Sequence, residues 1–245
     1  MSTTFLSARW EDLVMANYAV EPAVLQPFLP KGVELDLFDG VAYVSLVGFM
    51  FRNTRLFGLP IPFMGTFEEI NLRFYVKRTE GSTIKRGVVF INETVPYRPV
   101  AWLANKLYKE HYIAIPTRSN IVESGYSLKV RYEWKIKQRW NHVLVNANIS
   151  KKPMADGSME AFIFEHYYGY TKINAQETQE YRVNHASWLV HTVYDYAINC
   201  DFTAMYGECF SFLNDAVPHS VLLAEGSQVT VDWNRKTIES QTWSK

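Results

Sequence analysis

Phe67-Glu68-Glu69-Ile70-Asn71-Leu72-Arg73-Phe74-Tyr75-Val76 reads as a β-strand. Side chains on a strand point alternately to opposite faces. Ile70, Leu72, Phe74 and Val76 therefore share one face, and Glu69, Asn71, Arg73 and Tyr75 share the other. The apolar face calls for a covering layer. The polar face sets an acid, an amide and a guanidinium in a row, and two arrangements satisfy it. Either the row looks into a curled sheet, where an acid and a cation two pleats apart bind a small polar ligand, or it forms a salt-bridged outer surface. Alternation alone does not choose between them.

Working outward, the Glu80-Gly81 turn leads into a second strand, Gly87 to Thr94, which pairs with the first as a hairpin. Period two puts Val89, Ile91 and Glu93 on one face of it and Val88, Phe90 and Asn92 on the other. On the upstream side, an Asp39-Gly40 turn opens Val41 to Phe51, an apolar run suited to a strand covered on both faces, with Tyr43 and Ser45 bringing hydroxyls to one side. Arg52 to Gly65 reads as a Pro/Gly-punctuated loop whose Phe57, Leu59, Ile61, Phe63 and Met64 suit a lid better than open solvent. A short helix is expected from Glu21-Pro22 to about Phe28, and a longer one over Arg98 to Glu110, with Val100, Ala101, Leu103, Ala104, Leu107 and Tyr108 at helical spacing.

Ser127 to Lys137 and Trp140 to Ile149 form another hairpin, with Leu128, Val130, Tyr132, Trp134 and Ile136 opposite a charged face. Ser158 is placed to cap a helix from Met159 to about Glu165. Tyr167 to Ile173, Tyr181 to His185, Trp188 to Tyr196 and Val229 to Trp233 alternate as strands, and Asp201 to Tyr206 reads as a helical turn. About ten strands and three or four short helices predict a mainly β fold, a curled antiparallel sheet or barrel.

A chain of 245 residues fits one domain, 1–245, because closed β architectures run to roughly 200–250 residues. Its 48% hydrophobic and 15% aromatic content supports a packed core rather than disorder. With 25 Lys plus Arg against 25 Asp plus Glu, no long-range field draws in polyanions, so nucleic acid is not an expected partner. The basic stretch Lys129, Arg131, Lys135, Lys137 and Arg139 is read as the wet face of a strand. Neither an apolar run of ~18–20 residues nor a signal core is present, so membrane insertion and export are not expected. Cys200 and Cys209, in apolar surroundings, are read as buried reduced thiols in a cytoplasmic protein.

Motifs for nucleophilic serine, phosphate-cradling loops and dinucleotides are missing, and no cofactor is expected. The six histidines lack HxH or HExxH spacing, so no metal is expected, although Glu165-His166 and His185 could meet in space. Lys151-Lys152 is an adjacent pair of the kind that lowers an amine pKa, but its place just before the Asp156-Gly157 turn favours two solvated hairpin lysines.

Several ordered segments resemble one family. They are Trp10-Glu11-Asp12-Leu13 with Asn17-Tyr18, Leu29 to Glu34, Phe38 to Ser45, Phe67 to Val76, Gly87 to Phe90, Phe162 with Glu165 and Tyr167, His185 with Trp188, and Gly226 to Val231. Together they are similar to the DUF2071 or YqjF-like proteins of the acetoacetate decarboxylase-like superfamily. The resemblance implies a cone-like antiparallel β-barrel with short outer helices and an interior pocket. It also implies that Glu69 points inward, bringing Asn71 and Arg73 with it. In the superfamily's decarboxylases a lysine forms a Schiff base; the matching slot here falls near Tyr112 and Ile113, so the nucleophile is missing. Lys106 and Lys109 lie one helical turn apart and are the substitutes to weigh, but lysines on an amphipathic helix face water. The family's arginine after Glu165 is here His166.

The expected function is a small-molecule-binding barrel for an organic acid or polyol. Glu69, Asn71 and Arg73 form one wall, with Tyr43 nearby and Glu165, His166 and His185 opposite. One alternative is a lyase or hydratase on a small keto acid with Glu69 as general acid or base. Another is a non-catalytic homo-oligomer joined through the Phe57 to Met64 loop, Trp233 and Trp243.

Overall fold

The alternating strands of this chain join into one sheet that closes into a ring. In the structure, a computed structural model describing residues 4–239, the strands are β1 Thr4–Val20, β2 Glu34–Leu35, β3 Ala42–Leu56, β4 Leu59–Pro60, β5 Phe67–Glu80, β6 Thr83–Val95, β7 Tyr112–Ala114 and β8 Thr117–Ser124. They continue as β9 Ser127–Ile136, β10 Arg139–Pro153, β11 Tyr168–Lys172, β12 Glu177–Asn184, β13 Leu189–Asn199, β14 Ser220–Asp232 and β15 Lys236–Glu239. The α-helices are α1 Pro22–Leu25, α2 Arg98–Tyr108, α3 Met159–Phe164 and α4 Phe202–Tyr206. Among the described residues all fifteen strands belong to one sheet.

The order β12-β11-β6-β5-β3-β1-β14 closes on itself, because β12 also pairs with β14 at Val183↔Val231 and Asn184↔Thr230. From β14 the sheet runs on as β13-β10-β9-β8 and folds back over the ring. Pairing is antiparallel except where β6 meets β11 and β7.

The parity switches come from bulges, which place two residues of one strand opposite one of its neighbour. In β6, Arg73 pairs with Phe90 and Leu72 with Asn92, so Ile91 is the extra residue. Val88 and Phe90 face inward before it and Glu93 after it, which corrects the period-two reading that set Glu93 on the opposite face to Phe90. In β1 the register breaks between Glu11 and Val14, with Asp12 at φ 55°. Ala8 and Trp10 point inward before the break, Leu13 and Met15 after it. Apolar residues at both parities hid this strand from the sequence reading, which has no strand over Thr4–Val20.

Two cores follow. The outer one joins Val14 and Ala16 of β1, Val44 and Leu46 of β3, and Ile70, Leu72 and Phe74 of β5 to Val130, Tyr132 and Trp134 of β9 and Val143 and Val145 of β10. The apolar face of β5 is thus covered by a second layer, and its polar row looks into the ring. At the contact, Gly48 leaves room for a ring: a Cβ there would lie 2.7 Å from Tyr132 Cδ2. Tyr132 then donates to the Asp12 carbonyl across 3.0 Å, pinning the β1 bulge.

Other boundaries differ in detail. β3 runs through to Leu56, and Phe57-Gly58, both at positive φ, turn it into β4. β7 and β8 lie where no strand was read. Helix α2 stops at Tyr108 because Lys109 adopts φ 59°. The predicted caps hold: Ser158 Oγ accepts from Ala161 N at 3.2 Å. Cys200 is half-buried but Cys209 is exposed, so the expectation of two buried thiols fails for Cys209, which sits on a short 3₁₀ turn. Trp243 lies outside the described residues. No helix among those residues is long and apolar enough to cross a membrane.

Candidate functional site

Inside the ring is a cavity of about 130 Å³. Its apolar wall includes Trp10, Phe49, Phe51, Phe67 and Phe90, with Phe51 and Phe67 stacked at 4.8 Å between ring centres. Helix α2 covers one side with Val100, Leu103, Ala104 and Tyr108. Leu56 and Ile61 reach in from the loop read as a lid, while Phe63 of that loop is 99% exposed.

The polar end gathers Glu69, Asn71 and Arg73 of β5, Glu93 of β6, Glu110 after α2, Tyr112 of β7 and Tyr181 of β12. Glu69 is 2% exposed and accepts at both oxygens, from Asn71 Nδ2 at 3.0 Å and from the Tyr112 hydroxyl at 3.0 Å. Glu110 Oε1 accepts from Thr171 Oγ1 and from the Tyr181 hydroxyl at 2.9 Å. Glu93, also 2% exposed, has an Oε2 without a partner among the described residues, and so does Asn71 Oδ1. Arg73 turns partly away: its Nη2 donates to the Ile163 carbonyl at 3.2 Å and contacts Met15 Sδ at 3.4 Å.

Burial dominates the electrostatics here, because a carboxylate without water loses its solvation. It pushes the Glu69 pKa up to about 7, against the pull of the Asn71 and Tyr112 hydrogen bonds. Glu110 rises to about 7 for the same reason. Glu93 is held well above the usual carboxyl range by burial and then by its acidic neighbours Glu110 and Glu69. Tyr112 and Tyr181 are likewise raised by burial and by these acids, so both remain hydroxyl donors at neutral pH.

Local structure fixes each group. Asn105 on α2 clamps the start of β7, its Oδ1 accepting from Tyr112 N at 2.7 Å and its Nδ2 donating to Tyr112 O at 2.9 Å. Gly169 makes space for Tyr181, since a Cβ there would sit 2.1 Å from the ring.

Of the residues singled out in the sequence, Glu69, Asn71 and Arg73 line the cavity. Tyr43, Glu165, His166 and His185 do not. Tyr43 shares the inward face but lies further along the ring, against Phe162 and His219. Between it and the cavity runs a buried chain in which Ser45 Oγ donates to Asn17 Oδ1 at 2.5 Å and bonds the Tyr75 hydroxyl at 2.6 Å. His166 Nε2 meets Asp36 Oδ2 at 3.2 Å, and burial first holds its pKa down to about 4. His185 stacks between Tyr167 and Trp188, and Glu165 accepts from Tyr167 and Ser187.

Among the described residues no lysine lines the cavity. Lys106 is exposed over the Trp102 ring and Lys109 is exposed at the α2 terminus. Lys151 pairs with Glu225 at 2.6 Å on the surface. Among the described residues no group of three or more His, Cys, Asp or Glu is placed to hold a metal ion. Glu93, Glu110, Tyr112 and Tyr181 were missed as site residues.

A family model, DUF2071, described as uncharacterized conserved protein, matches residues 7–228. The chain belongs to the DUF2071 family. A curated relative of this DUF2071 chain, uncharacterized protein YqjF of Bacillus subtilis (strain 168), is 40% identical over 68 residues, which is 27% of this chain and 28% of that protein. The fold is similar to several solved structures. One is an acetoacetate decarboxylase-like enzyme from Sphingomonas wittichii RW1, with TM-score 0.64, 12% identity, and 97% of this chain and 94% of that one covered. Another is acetoacetate decarboxylase from Legionella pneumophila, with TM-score 0.64, 9% identity, and 97% and 90% covered. A third is the enduracididine biosynthesis enzyme MppR, complexed with a condensation product of pyruvate and imidazole 4-carboxaldehyde, with TM-score 0.64, 12% identity, and 99% and 92% covered. At such identities the likeness establishes the fold alone.

Proposed function

We propose that this protein binds a small organic molecule inside the ring, with its apolar body against the aromatic wall and its polar head on the Glu69, Asn71 and Glu93 end. One observation carries this reading: buried polar groups are normally satisfied, yet Glu93 and Asn71, which line the cavity, leave Oε2 and Oδ1 without partners among the described residues. At about 130 Å³ the cavity offers space for roughly ten water-sized groups, which fits a ligand of about that many non-hydrogen atoms. Thermal unfolding of the wild type and of Ala104→Trp against a panel of small metabolites tests it. At least one compound is expected to raise the wild-type Tm and to leave the filled variant unmoved. A panel without any stabilising compound, or equal shifts in both proteins, rejects the reading.

A second reading is favoured by Glu69 itself. A general acid or base works best with a pKa near the operating pH, and this carboxyl is held at about 7. In that reading Glu69 moves a proton on the bound molecule, as in a lyase or hydratase, with the Tyr112 hydroxyl as its fixed donor. The chemistry proceeds without an imine, since the lysines nearest in sequence face solvent.

A further inference from the structure

Resting on the binding reading above, we infer that the cavity selects a molecule whose head is an ammonium group on an aryl or alkyl body, and rejects the matching carboxylate. Several hydrogen bonds at the polar end are already made. The two phenolic donors at the polar end are committed, Tyr112 to Glu69 and Tyr181 to Glu110. Arg73 directs Nη2 away, at Ile163 O and Met15 Sδ; its buried Nε has no partner among the described residues, nor has Trp10 Nε1 on the apolar wall. The acceptors are in the opposite state. Asn71 is 1% exposed with Oδ1 unpartnered, and Glu93 is 2% exposed with Oε2 unpartnered.

Beside Asn71 and Glu93 the unmet demand is for a donor, because the amide Oδ1 can only accept, whatever the protonation of Glu93. An ammonium carries three N–H donors and no acceptor, an alcohol carries one donor, and a carboxylate carries none. Charge points the same way. Three carboxyls, Glu69, Glu93 and Glu110, share the cavity with one guanidinium. In the empty cavity burial keeps these carboxyls protonated; an ammonium can take the place of such a proton, whereas a carboxylate head offers nothing to replace it. The wall suits the body: Trp10 and Phe49 lie 5.0 Å apart edge-on, and Phe51 and Phe67 stack. This replaces the organic acid expected from the sequence, where only one acid and one cation were visible.

The test compares three compounds of nearly equal size, 2-phenylethylamine, 2-phenylethanol and phenylacetate, by isothermal titration at pH 7.5. The amine is expected to bind at least tenfold tighter than either of the others. In Glu93→Gln the amine is expected to weaken by tenfold or more while the alcohol changes by less than threefold. The wild-type ranking decides the matter even where that variant fails to fold. If the alcohol or the carboxylate binds as tightly as the amine, the ammonium inference falls and the cavity reading stands. If none of the three binds while a compound from the metabolite panel does, the result is the same. If nothing binds in either experiment, both fall.

Discussion

Replacing Glu110 by Gln removes a charge from the polar end of the cavity while keeping its shape. Both hydrogen bonds that Glu110 accepts, from Thr171 and from Tyr181, end on Oε1, and a glutamine carbonyl can accept both in the same place. What Glu110→Gln loses is the titration. In the folded protein burial lifts this carboxyl from 4.5 to about 7. Between those values the folded chain keeps a proton that the unfolded chain has released, so the folded state is the more protonated one. Stability is then fully present below pH 4.5 and is lost as pH rises through 7. At about 1.36 kcal/mol for each pH unit, the interval amounts to about 3 kcal/mol for this group.

For a domain of this length each kcal/mol moves Tm by roughly 2–4 °C, so the alkaline loss is on the order of 6–12 °C. Differential scanning calorimetry of wild type and Glu110→Gln at pH 5 and pH 8.5 measures it. The two proteins are expected to melt close together at pH 5, and the variant to melt higher by that amount at pH 8.5. Profiles that stay parallel within about 1 °C over the whole range would refute the claim that a buried carboxyl is held neutral by its surroundings.

Gly169→Ala is expected to cost about 1–3 kcal/mol in urea unfolding, because the added Cβ falls on the Tyr181 ring; an unchanged midpoint would show that the ring is not held there. Borohydride reduction in the presence of pyruvate is expected to leave the mass of the protein unchanged, and an adduct mapped by mass spectrometry to Lys106 or Lys109 would overturn the non-imine reading.

Where the strand alternation is unbroken, the sequence discloses the structure: Glu69, Asn71 and Arg73 line the cavity, and Leu128, Val130, Tyr132 and Trp134 are buried as one face of β9. Where a bulge intervenes, it misleads. Ile91 is an ordinary β-branched residue, and nothing in its neighbourhood marks it as the extra residue that swings Glu93 inward. The polar end is also assembled at element junctions. Glu110 follows the helix terminus and Tyr112 opens a three-residue strand, places where no periodicity exists to read. Tyr181 could have been suspected from Gly169 only once β11 and β12 were known to pair. Tyr43 illustrates a different limit: sharing an inward face says nothing about how far along the ring the hollow extends.

The phenol of Tyr112 bears on the charge of the whole cluster. A lysine ammonium in that slot would offset one of the three acids and hold it ionised at neutral pH. The Tyr112 phenol brings no charge, and burial beside Glu69 and Glu93 keeps it protonated. Burial lifts Glu69 and Glu110 to about 7, so protons on the carboxyls themselves neutralise the cluster. A cluster neutralised by protons exchanges them readily, and a bound cation can take over the role. With a phenol at Tyr112, the charge state of the cavity follows the protons its carboxyls hold.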